Sequence, residues 1–167
     1  MSATLEEQAV PGWFSRALAA PKESRTVEVA GCPIHYLNWG ERRKPGLLFV
    51  APSGGHAHWF SHVAPLFADR FQVAAIDLSG CGDSGRREIY TRELVTQEIA
   101  AVLAHSGMVD ASAPPVLAGH SAGAQFAVRA AQEIGEKLLG VISIDGLRYA
   151  RLPHDHAIAI LEAPREV

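Results

Sequence analysis

A chain of 167 residues is long enough to close a hydrophobic core and fits a single domain spanning residues 1–167. Its balance of 48% apolar and 20% charged residues is that of a globular chain and excludes a disordered one. A formal net charge of −3 gives no electrostatic basis for binding nucleic acid, so no nucleic-acid partner is expected.

The opening stretch MSATLEEQAV has neither a basic start nor an apolar core, so no signal peptide is expected. Residues 1–24 read as an N-terminal arm carrying Trp13-Phe14 and Ala17-Leu18-Ala19-Ala20 on a short helix. Thr26–Ala30 and Ile34–Trp39 flank Gly31-Cys32-Pro33 and predict a hairpin. Leu47–Ala51 is an unbroken apolar run, the signature of a parallel strand buried on both faces. A helix is expected from about Ala57 to Asp69, with Trp59, Val63, Leu66 and Phe67 on its apolar face. Phe71–Ile76 predicts a further strand, and Thr91 caps a helix running to about His105, stopped by Gly107. Strand Val116–Ala118, helix Ala122–Ile134 ending at Gly135, and strand Leu139–Ile144 complete the pattern. Strands alternating with helices specify an α/β fold, a mostly parallel sheet flanked by helices. No apolar run reaches the length of a membrane span, so no membrane partner is expected and the cytoplasm is the default location. Cys32 and Cys81 are too few for a disulfide framework, and no spacing marks a metal site, so the metal assignment is none.

Ligands of such sheets meet the carboxyl ends of the strands. Gly119-His120-Ser121-Ala122-Gly123 lies between an apolar strand and a helix, the setting of a nucleophile elbow. There a strained turn projects the Ser121 hydroxyl, small residues on either side admit neighbouring chain, and the Ala122 N–H points to where an oxyanion forms. The loop Pro52-Ser53-Gly54-Gly55 follows another strand and offers the Ser53 N–H as a second oxyanion donor, although an ordinary turn would look the same. Gly80-x-Gly82-x-x-Gly85 mimics a dinucleotide fingerprint, but no helix opens until about Thr91, so a structural loop tied by Asp77 and Ser84 is expected instead.

Taken together these motifs resemble the α/β-hydrolase family from about Thr26 to Gly146: the hairpin ending at Trp39-Gly40, the strand and loop reaching Trp59, the run from Asp77 to Ser84, the elbow, and Gly140–Gly146 as a sixth strand. The resemblance implies a hydrolase that cleaves carboxylic esters or related acyl compounds through Ser121, with a small-molecule substrate and no cofactor. It also implies an incomplete fold lacking the last two strands, with residues 148–167 beginning a lid. Where many relatives start the oxyanion loop with His-Gly, this chain has Ala51-Pro52. Asp145 occupies the place where some relatives keep the catalytic acid, and His154 and His156 are the histidines that follow it. His56, His58 and His62 are expected on a helix surface or loop. Two alternatives stay open: a non-catalytic fragment or pseudoenzyme lacking the base, and a C–C bond hydrolase or cofactor-free peroxidase. If the strand order of the family holds, Leu139–Ile144 forms an open edge through which the chain self-associates.

Overall fold

The computed structural model describes residues 10–146. Six strands form one sheet: β1 (Glu23–Val29), β2 (Cys32–Trp39), β3 (Gly46–Val50), β4 (Gln72–Ile76), β5 (Val116–His120) and β6 (Gly140–Ile144). Three helices accompany them, α1 (Gly12–Ala19), α2 (Arg92–Ser106) and α3 (Ala122–Ile134). The spatial order is β1-β2-β4-β3-β5-β6. β1–β2 and β2–β4 pair antiparallel; β4–β3, β3–β5 and β5–β6 pair parallel. Among the described residues the sheet is therefore mostly parallel and flanked by helices, the α/β architecture that the sequence implies. No described helix is long and apolar enough to cross a membrane.

The apolar strands are buried on both faces, and alternate residues feed two separate cores. Leu48 and Val50 of β3 join Ile34, Ile76, Ile99, Leu103, Leu117 and Ala127 under α2 and α3. Leu47 and Phe49 point the other way, into a core with Trp39, Val73, Phe60 and Ala64. Phe49 stacks on Phe60 with ring centroids 4.6 Å apart. Burying each such side chain contributes about 1.5–3 kcal/mol, which explains why these short strands need no alternating pattern.

Several boundaries differ from expectation. The hairpin turns at Ala30-Gly31, both with positive φ, one residue earlier than predicted, and β1 starts at Glu23 inside the span read as an arm. The helix expected over 57–69 is instead two 3₁₀ turns, Ala57–Phe60 and Ala64–Phe67. Pro65 is the cause: it lacks the N–H that would continue an α-helix and sits in the first turn of the second segment. The buried face consequently carries Ala57, Phe60 and Ala64, while Trp59, Leu66 and Phe67 are exposed. α3, by contrast, ends at Ile134 as expected, and Gly135, in right-handed helical conformation, leads into a 3₁₀ turn, Gly135–Lys137.

Candidate active site

β5 runs straight into α3, and the residue between them is Ser121 with φ 53° and ψ −118°. A non-glycine residue at positive φ costs about 1–3 kcal/mol, and the surroundings enforce it here. The Ser121 N–H donates to Ile144 O at 2.9 Å, and Ser121 O accepts from Ala124 N at 3.1 Å. A Cβ on Gly119 would strike Gly123 O and the backbone of Ala124, and one on Gly123 would strike the carbonyl oxygens of Val50 and Ala51. The two glycines thus let β5, α3 and the end of β3 approach within backbone contact, the small-residue requirement anticipated from the sequence.

That close approach sets the loop after β3 beside the elbow. Gly55 N–H donates to Pro52 O at 2.8 Å and closes a turn in which Ser53 is exposed. The Ser53 N–H makes no hydrogen bond among the described residues. No side chain caps α3, and Ala122, its first residue, stands at the positive end of a 13-residue helix. Between the β3 loop, the turn after β4 and the start of α2 lies a cleft of about 330 Å³, lined by Ser53, Leu78, Cys81, Tyr90, Val95 and Phe126 among others. Burial, and secondarily the charges of Asp77 and Glu98, push the Cys81 thiol up from its ordinary range.

Asp145 lies immediately after β6, exposed and at φ 49°, one residue beyond the carbonyl that holds Ser121. No histidine is hydrogen-bonded to Ser121 among the described residues. His56 and His58 are exposed, with rings 5.8 Å apart, and His62 packs on Phe14 at 5.6 Å, the surface and loop positions expected of them. His154 and His156 lie outside the described residues, as does the segment read as the start of a lid.

The glycine-rich run after β4 is a structural loop. The Asp77 carboxylate, 0% exposed, meets His35 Nδ1 at 2.7 Å and accepts from the backbone N–H groups of Ala57 and of Asp83, the latter at 3.0 Å. Ser84 Oγ donates to Asp77 O at 2.5 Å and accepts from His35 N–H at 2.8 Å. Ligand atoms of His35, Asp77 and Asp83 lie within 4.8 Å of one another, but the hydrogen bonds already engage the Asp77 carboxylate on both oxygens. A second lock went unread in the sequence. Glu98 of α2, also 0% exposed, accepts from Arg87 Nε and from Ser79 N–H, both at 3.0 Å, while Arg87 donates to Val29 O and Ala30 O. A carboxylate among Ile99, Val102 and Leu103 on the buried face of a helix was the available signal.

A sequence model of the Alpha/beta hydrolase family matches residues 47–166. An uncharacterized hydrolase of Bacillus subtilis (strain 168), YugF, is 28% identical over 132 residues, covering 78% of this chain and 47% of that protein. Among solved structures, a membrane phospholipase A described as a bacterial virulence factor is similar with a TM-score of 0.70 and 28% identity, over 79% of this chain and 42% of its own. The thioesterase domain from the curacin biosynthetic pathway gives a TM-score of 0.65 and 25% identity, over 75% of this chain and 47% of its own. Epoxide hydrolases and haloalkane dehalogenases share the fold as well. The chain spans less than half the length of the relatives named with their coverage. With the elbow geometry and these matches together, the chain belongs to the alpha/beta hydrolase family.

Proposed function

We propose that Ser121 is the nucleophile of a hydrolase acting on carboxylic esters or related acyl compounds, with the N–H groups of Ser53 and Ala122 receiving the oxyanion. The observation that carries this reading is the positive φ of Ser121 between β5 and an uncapped α3. A strained serine at a helix N-terminus supports this reading, because acyl transfer needs a nucleophile and preorganised N–H donors side by side. A serine there, rather than a carboxylate, favours acyl cleavage over chemistry through an alkyl-enzyme ester. The similar phospholipase and thioesterase, both acyl-cleaving by name, support it. Asp145 is the acid that the described residues offer, and the base is assigned to a histidine beyond residue 146, with His154 and His156 the candidates in this chain. No cofactor is invoked.

A non-catalytic role is the second reading, favoured by the lack of a histidine bonded to Ser121 among the described residues; a serine without a base is a weak nucleophile. Fluorophosphonate labelling with peptide mapping decides between them. An adduct on the Ser121 peptide, absent in Ser121→Ala, is expected for the hydrolase. A folded chain whose Ser121 peptide stays unlabelled is a pseudoenzyme or fragment. His154→Ala and His156→Ala then identify the base by loss of that label.

A further inference from the structure

Away from the elbow, the hydrogen-bond chain around Asp77 continues outward. His35 Nε2 lies 2.9 Å from the hydroxyl of Ser24, an exposed residue of β1. The register explains the contact: Ser24 pairs with Leu37, two residues from His35, so both side chains stand diagonally on one face of the hairpin. The ring is 5% exposed and held at Nδ1 by the buried Asp77 carboxylate at 2.7 Å. Because a carboxylate only accepts, Nδ1 carries the proton, and Nε2 of the neutral ring is left to accept from Ser24. A hydroxyl, an imidazole and a buried carboxylate are thus linked in the order and polarity that activate a serine.

We propose that Ser24, His35 and Asp77 form a second reactive-serine site, independent of Ser121, that is acylated by small activated carboxylic esters. Ser24 Oγ attacks the acyl carbon while its proton passes to His35 Nε2. The bond from that carbon to the leaving-group oxygen breaks, and the departing oxygen takes the proton from the imidazolium. Asp77 stays ionised and keeps the ring oriented. Water, deprotonated by the same Nε2, then attacks the acyl carbon; the bond from that carbon to Ser24 Oγ breaks, the imidazolium returns its proton to Oγ, and the carboxylic acid leaves. Esters with good leaving groups, such as aryl esters, suit a serine whose activation rests on this base alone.

The same fluorophosphonate serves as probe, with fluoride leaving from phosphorus. In Ser121→Ala, the peptide containing Ser24 should be labelled at least tenfold faster than that containing Ser112, another exposed serine, with no histidine partner among the described residues. Ser24→Ala/Ser121→Ala should lose the label, and Ser121→Ala/His35→Gln should slow it at least tenfold with the circular dichroism spectrum retained. Labelling of Ser24 no faster than Ser112 in folded Ser121→Ala would overturn the proposal, even where the histidine variant fails to fold. Ser121 labelling in the wild-type chain is read on a different peptide, so either assignment stands or falls alone.

Discussion

Gly123 shows how a single residue without a side chain determines what the site can be. Replacing it with alanine places a methyl group against two carbonyl oxygens of the β3 segment, and backbone cannot move aside as a side chain would. Gly123→Ala should lower stability by about 1–3 kcal/mol, measured by urea denaturation, and displace the loop after β3, so that on the proposed function Ser121 labelling falls with it. The buried pair Arg87–Glu98 predicts a larger effect through a different mechanism. Glu98→Ala strands a guanidinium whose side chain is only 8% exposed and removes the acceptor of Ser79 N–H, so a loss of about 3–5 kcal/mol is expected in the same measurement. The double variant Arg87→Met/Glu98→Met should lose less than Glu98→Ala, because no uncompensated charge remains. Cys81 gives a test of pH dependence. Burial raises its thiol above the usual range, and the reactive thiolate is correspondingly scarcer than in an unstructured peptide at pH 8. Alkylation by iodoacetamide should therefore be slower than for a free thiol at that pH, and the gap should close as the solution is made more alkaline.

α3 spans Ala122–Ile134 as read from the sequence, and α2 was legible to within a residue because local chemistry marks both its ends. Thr91 Oγ1 accepts from Leu94 N–H at 3.2 Å, and Gly107, at φ 82°, closes the helix with its N–H on Ala104 O and Leu103 O. Thr91→Ala should cost about 1 kcal/mol, or roughly 2–4 °C in thermal midpoint, followed by circular dichroism. The strained turn at Ser121 was legible for the same reason: strand, strained residue and helix are contiguous in the chain. Legibility failed where an element depends on distant partners or on a breaker discounted against apolar spacing. Counting apolar residues over 57–69 gave one helix and the wrong buried face, since Pro65 divides the segment and the sheet selects Ala57, Phe60 and Ala64. β1 begins with Glu23-Ser24-Arg25, and its polar residues at the open side of the sheet carry no apolar signal. His35 and Asp77 are 42 residues apart in sequence, so nothing local announces their contact.

For the whole molecule, the arrangement of strands leaves one flank unequal to the other. β6 pairs with β5 alone among the described residues, Leu139 is 67% exposed and Ile144 44%, and no charged residue lies within the strand. Such an edge is a template for another strand, and self-association through it is our proposal for the isolated chain. Light scattering should show oligomers that grow with concentration, and Leu139→Lys should shift the population toward monomer; a monomeric wild-type chain at high concentration would refute the idea. The sheet order also bears on how the molecule is made. During synthesis the β1–β2 hairpin is complete at Trp39, yet the second edge of β2 waits for β4, and β3, at the centre, waits for β5. Until His120 has left the ribosome, a central apolar strand is flanked on one side only, so the nascent chain is exposed to proteases and chaperones throughout that interval. Ser121 follows at once, yet its N–H is held by Ile144 O, so the strained turn is fixed only when β6 has formed, and a chain stalled before that point carries the serine without its geometry.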